Sequence, residues 1–213
     1  MKNTLKTLFA VAALGVASLA NALSYNGEVE LLDTDLDGDL FPGGGIFEAN
    51  PVGGDSFYTF CLQYGVDISL PGTYDYSIQD KTGGLTANSN NAISKGTAIL
   101  YTKFVFGSLF DPTDIANDNL AGMLQLAIWH LEGQGAFGAP GKDALGFNIF
   151  VDMVDDVAGY LDDYSGAAVK VLVLTDENGN NVQNQIIYVP DSGTTLALLG
   201  LGLAGLAVAR RRR

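Results

Sequence analysis

The stretch GMLQLAIWHLEG, residues 122–133, sets one polar side chain, Gln125, inside a run otherwise built to be buried. Met123, Leu124, Ala127, Ile128 and Leu131 recur at helical spacing, which predicts a helix over residues 114–131. Gln125 lies four residues before Trp129, so the two side chains share one stripe of that helix, and the stripe faces packed surface. A buried primary amide has two donors and a carbonyl to satisfy, at a cost of roughly 1 to 3 kcal/mol when it fails. The rest of the fold must therefore bring a polar partner to Gln125.

Working outward, the partner on offer is Cys61, the single cysteine of the chain, in the segment FYTFCL at residues 57–62. That segment alternates as a half-buried strand. Aromatic-Cys at a strand end, then Pro71, Gly72, Tyr74 and Tyr76, then Leu-Gln125-x-Ala-Ile-Trp129 on a helix, resemble the thioester domains of bacterial surface proteins over roughly residues 25–188. The resemblance implies that Cys61 and Gln125 join as an internal thioester with loss of ammonia, with Trp129 covering the bond. It also implies an amine-bearing surface or matrix partner that attacks the Gln125 carbonyl. Tyr58, Tyr64 and His130 are candidate donors to the leaving nitrogen. Where that family often has an acid soon after the cysteine, this chain has Gln63.

The ends of the chain read differently from its middle. Residues 1–22 carry Lys2 and Lys6, an apolar stretch over 8–19, and Ala20-Asn21-Ala22, the three parts of a signal peptide. They predict Sec-type export and cleavage after Ala22. In an exported chain a single cysteine forms no internal disulfide, so Cys61 is a packed thiol, an intermolecular bridge or a group with its own chemistry. At the other end, residues 189–213 hold Val189, Pro190, Asp191, Ser192 and Gly193. An uncharged run over 194–209 follows, and then Arg210, Arg211, Arg212 and Arg213. This order resembles the VPDSG form of the PEP-CTERM sorting signal, which implies processing by an exosortase-type membrane enzyme. The 16 uncharged residues make a helix of about 24 Å, close to a hydrocarbon core of about 30 Å, and the arginines hold the cytoplasmic side. Gly200, Gly202 and Gly205 match a dinucleotide fingerprint by letter alone, without the strand that the motif needs.

Between these ends, residues 23–189 contain 23 acids against five lysines, a net charge of −18 within an overall −13. Such a surface excludes nucleic acid as a partner and keeps an extracellular domain in solution. Asp33, Asp35 and Asp37, followed by Gly38 and Asp39, have the spacing of a calcium loop, but its twelfth position is Gly44. The plainer reading is an acidic hairpin loop without a cofactor. Strand character at 24–32, 46–48, 57–62, 73–78, 169–174 and 185–189 flanks helical spacing at 92–106, 114–131 and 144–161, with capping residues over 88–91. The turn DENGNN at 176–181 joins the last two strands.

The expected fold is α+β, an antiparallel β-sandwich or barrel over residues 23–188 with an inserted helical layer, flanked by a signal helix and a C-terminal transmembrane sorting helix. Three roles are open: surface adhesion through a thioester, a noncovalent structural or matrix module of the same fold, and a cysteine hydrolase using His130. The last is disfavoured because His130 stands about 140° round the helix from Gln125. The expected protein is therefore not an enzyme, and it is anchored in the membrane before processing and surface-bound or extracellular afterwards.

Overall fold

The computed structural model describes residues 25–34, 45–82, 91–114, 118–134, 147–155 and 168–189. Among the described residues six strands are formed: β1 (Asn26–Asp33), β2 (Phe47–Pro51), β3 (Phe57–Thr59), β4 (Gly72–Gln79), β5 (Val169–Thr175) and β6 (Gln185–Tyr188). Three helices, α1 (Lys95–Val105), α2 (Asp118–Leu131) and α3 (Phe147–Asp155), lie in the chain between β4 and β5. The sheet order is β3-β2-β1-β4-β5-β6 with every neighbouring pair antiparallel.

The two edges of this sheet meet. Past Thr59 the chain leaves β2 and turns to β6: the Ile186 N–H donates to the Phe60 carbonyl at 3.1 Å and the Leu62 N–H to the Asn184 carbonyl at 2.9 Å, with Cys61 opposite Gln185. The Thr59 hydroxyl adds a bond to the Ile186 carbonyl at 2.6 Å. The result is a nearly closed six-stranded antiparallel barrel. Of the sandwich and the barrel that the sequence allows, the barrel forms, because the partner change at Phe60 covers both edges.

Strand alternation divides the apolar side chains between two cores. Val29, Leu31, Ala49, Tyr74, Tyr76, Ile78, Leu172, Leu174 and Ile187 come from five strands and fill the barrel interior. Val169, Val171, Val173, Phe60 and Ile186 face outward into the second core, against Leu100, Phe104, Leu124, Ile128 and Phe150 of the helices. The Phe60 ring meets Phe104 edge to face at 5.0 Å. On β1 and β4 the outward positions Glu28, Glu30 and Asp75 are exposed.

Local chemistry sets the helix limits and corrects several boundaries. Ser94, rather than a residue of 88–91, caps α1, its hydroxyl accepting from Thr97 N–H at 3.1 Å, while its own N–H donates to Glu132 at 2.9 Å. Both α1 and α2 end at a glycine with positive φ, Gly107 and Gly133, with paired bonds from Gly107 to Phe104, Ser108 to Lys103, Gly133 to His130 and Gln134 to Trp129. Those pairs are the Schellman pattern. The helix expected from residue 114 is described over Asp118–Leu131, and Asp114 itself is not helical. Asp111 holds the preceding turn by accepting from the Thr113 N–H at 2.9 Å and hydroxyl at 2.7 Å, a local bond that competes with helix. The strand expected at 46–48 runs on to Pro51.

Residues 1–22, Asp35, Asp37, Gly38, Asp39, Pro190, Asp191, Ser192, Gly193 and residues 194–213 lie outside the described residues, as do the ends expected for α3 at 144–146 and 156–161. Among the described residues no helix is long and apolar enough to cross a membrane, and no cluster of three or more His, Cys, Asp or Glu could hold a metal ion.

Candidate functional site

Cys61 stands where the barrel closes. Its neighbours Phe60 and Leu62 spend their ladder bonds on β6, which makes Cys61 and Gln185 a non-hydrogen-bonded antiparallel pair. In such a pair the backbone N–H and C=O of Cys61 point away from β6, toward the side where β2 has already ended. Gln125 on α2 fills that place. Its Oε1 accepts from the Cys61 N–H at 2.9 Å, and its Nε2 donates to the Cys61 carbonyl at 2.8 Å. One side-chain amide thus completes the ladder as a strand residue would, and only 1% of Gln125 is exposed.

The thiol faces another way. Cys61 and Gln185 share a sheet face with Gln183, two residues before Gln185. The Cys61 thiol donates to Gln183 Oε1 at 2.8 Å, and Gln185 Nε2 approaches the sulfur at 3.7 Å. Gln183 Nε2 in turn donates to the Gln63 carbonyl at 3.0 Å, and Gln63 Oε1 accepts from the Asn184 N–H at 2.9 Å. All these side chains are buried. Both side-chain amide atoms of Asn184 and the Oε1 of Gln185 are buried without a hydrogen-bond partner among the described residues.

Burial pushes the Cys61 thiol far above its ordinary value, and the donor on Gln185 opposes that only in part. Loss of water disfavours the thiolate more than one amide donor favours it, so the centre holds a neutral thiol at neutral pH. Trp129 lies one turn beyond Gln125 and is 3% exposed, its ring meeting that of Tyr64 at 5.1 Å. Tyr58 contributes its carbonyl to the same region, accepting from the Tyr101 hydroxyl at 2.8 Å.

The structure therefore brings Cys61 and Gln125 into contact, as the buried-amide argument requires, and joins Gln125 to the Cys61 backbone. The thiol bonds to carboxamides on residues 183 and 185, and His130 is half-buried on α2. Gln63, which stands where an acid was expected, is a buried link between the Cys61 segment and β6. Gln183 and Gln185 carry a signal of their own in the sequence: two glutamines two residues apart beside Ile186 and Ile187 mark a polar row on one face of an apolar strand. Asp33, of the candidate calcium loop, is an exposed residue at the end of β1. Val189, of the candidate sorting motif, is half-buried and its N–H donates to the Ala168 carbonyl at 2.5 Å.

Residues 188–213 match the VPDSG-CTERM motif. No curated protein and no solved structure matches the chain. The motif supports a PEP-CTERM-type sorted protein, exported and processed by an exosortase-type enzyme.

Proposed function

We propose that this chain is an exported cell-surface or extracellular-matrix protein whose barrel domain adheres through an internal acyl centre at Cys61. The sorting tail delivers it, the apolar run holds it in the membrane until an exosortase-type enzyme acts, and the domain is then displayed or released. The observation that carries the acyl reading is the buried contact of the Cys61 thiol with the Gln183 carboxamide, 2.8 Å from sulfur to oxygen. In this reading the sulfur adds to the Gln183 carbonyl carbon and the carbon–nitrogen bond breaks. The nitrogen leaves as ammonia with the thiol proton, and a thioester remains. An amine on a partner then attacks the same carbon, forms an amide and restores the thiol. The centre reacts once and does not turn over.

Gln183 takes the place that the family resemblance assigns to Gln125, because both polar groups of the Gln125 amide are committed to the Cys61 backbone. Gln125 then holds the strand, and Trp129 packs behind it. The same two bonds favour a second reading, in which the whole centre is a noncovalent lock inside a structural or matrix module.

The intact mass of the exported protein separates the two. The acyl reading expects a chain lighter by one ammonia, with methylamine added at Gln183 after treatment and Cys61 titratable only afterwards. Cys61→Ala and Gln183→Ala should each restore the full mass. Methylamine addition at Gln125 would return the acyl role to that residue. A full-mass native chain whose Cys61 titrates on unfolding without amine treatment leaves only the noncovalent lock.

A further inference from the structure

The register of the barrel brings Tyr25 and Val52, two of the exposed apolar side chains, to one end, where Phe106 joins them. β6 finishes at Tyr188, which pairs with Val169 at the start of β5; Val171 pairs with Gln79 near the end of β4. Ser77 of β4 pairs with Asn26, and Val29 with Pro51, so the starts of β1 and β3 and the end of β2 lie at that same end. There Tyr25 is 70% exposed, Val52 74% and Phe106 65%, and the Phe106 ring stands against Tyr188 at 5.4 Å. Beside Tyr188 opens an apolar groove of about 290 Å³ lined also by Phe57, Tyr58, Val105 and Pro112. Asp55, Asp80 and Asp111 are exposed at this end as well, and the opposite end carries the carboxylates of Asp33, Asp176 and Glu177.

Both ends of the domain also leave from the apolar end. Tyr25, whose carbonyl accepts from Ile78 N–H, follows the expected cleavage site at Ala22 by three residues. Val189 precedes the uncharged run, which begins at Thr194, by five residues, a reach of at most about 18 Å. We infer that this end of the barrel is a foot that seats on the lipid surface, with Phe106, Tyr25, Val52 and Tyr188 in the headgroup layer, while the tail is uncut. Tyrosine and phenylalanine with exposed apolar edges suit that layer, and a domain of net charge −18 with Asp55, Asp80 and Asp111 exposed at the same end suits a zwitterionic rather than an anionic surface. The inference rests on the membrane-held tail and adds to it a contact made by the folded domain.

The test uses the full, uncut chain in phosphatidylcholine vesicles, with a nitroxide on Phe106→Cys, on Val52→Cys, or on Glu177→Cys at the far end. Cys61 is fully buried and stays unlabelled in the native protein. Labels at 106 and 52 should lose access to an aqueous nickel chelate several-fold and gain access to dissolved oxygen, while the label at 177 stays in water. Vesicles that carry the protein but leave all three labels equally open to the chelate overturn the foot and leave the anchor. Dipolar broadening at 106 that grows with the protein-to-lipid ratio replaces lipid by a second copy and also overturns it. Protein that fails to float with the vesicles overturns the membrane-held tail as well.

Discussion

The ladder between β1 and β4 and the seam between residues 60–62 and β6 both join strands of the same barrel, but they are built from different materials. β1 and β4 share six paired positions, bury Val29, Leu31, Tyr74 and Tyr76 inward, and turn Glu28, Glu30 and Asp75 to water. No side-chain amide is needed there. The seam has a single bridge, at Cys61, and completes it with Gln125, Gln63, Gln183 and Gln185. Where backbone supplies the hydrogen bonds, side chains are free to be exposed and exchangeable. Where backbone runs out, side chains become obligatory, and a reactive group can be held among them.

The sharpest way to break the comparison is Gln125→Ala. It strands the Cys61 N–H and carbonyl in a buried site and opens a cavity, with an expected loss of roughly 3 to 5 kcal/mol in denaturant unfolding. Gln125→Glu should fail at the carbonyl, since a carboxylate cannot donate to it. On the ladder, Glu28→Lys should instead gain a few tenths of a kcal/mol, because Glu28 stands opposite Asp75 in register. Equal losses at both positions would remove the distinction.

In the chain with its Cys61 thiol free, alkaline unfolding reads the same contrast through ionisation. Burial raises both the Cys61 thiol, from an ordinary 9.0, and the Tyr101 hydroxyl, from an ordinary 10.0. A raised folded value stabilises fully below the unfolded value and loses that contribution as pH climbs toward the folded one. Stability should therefore fall above about pH 9, by about 1.4 kcal/mol per pH unit for each group that ionises only on unfolding. Cys61→Ala should shift the onset from the cysteine to the tyrosine range. Tyr76, on the ladder side, is also raised by burial and adds to the loss in the same direction.

Two smaller effects sharpen the picture. Asn184→Leu removes an amide with no partner among the described residues, so it should be neutral or stabilising by up to about 1 kcal/mol. A loss above about 2 kcal/mol would show that the fold holds that amide. The least effect is at the exposed turn after β5, where Asp176 accepts from Asn180 and from Asn178 and its carboxyl is held below 3.8 chiefly by Asn180. A lowered folded value stabilises above the unfolded value and is lost as pH falls through the folded one. Its carbon-detected titration midpoint should lie below that of an isolated aspartate, and Asn180→Ala should raise it.

The sequence shows half of the seam plainly. A lone glutamine in a buried helical stripe demands a partner, and the strand with the lone cysteine supplies one. What it does not show is the switch at Phe60, because alternation over 57–62 continues unbroken while the hydrogen-bonding neighbour changes from β2 to β6. That switch decides barrel over sandwich, and it also decides which carboxamide the thiol meets. That the turn before α2 is not helix has a more local reason, the Asp111 to Thr113 bonds, which apolar periodicity cannot register. The exposed apolar end is invisible in sequence because Tyr25, Val52 and Phe106 come together only through register.

The seam also bears on the order in which the chain is made. Cys61 is synthesised 64 residues ahead of Gln125 and 124 ahead of Gln185, so the barrel stays open for most of its own production and export. Synthesis at about 5 to 20 residues per second gives such an intermediate a lifetime of several seconds. The residues that close it, 183–186, end three positions before Val189. A chain stopped anywhere short of them lacks both the closing strand and the sorting tail. Any molecule that presents the tail therefore already contains every residue the barrel needs to shut.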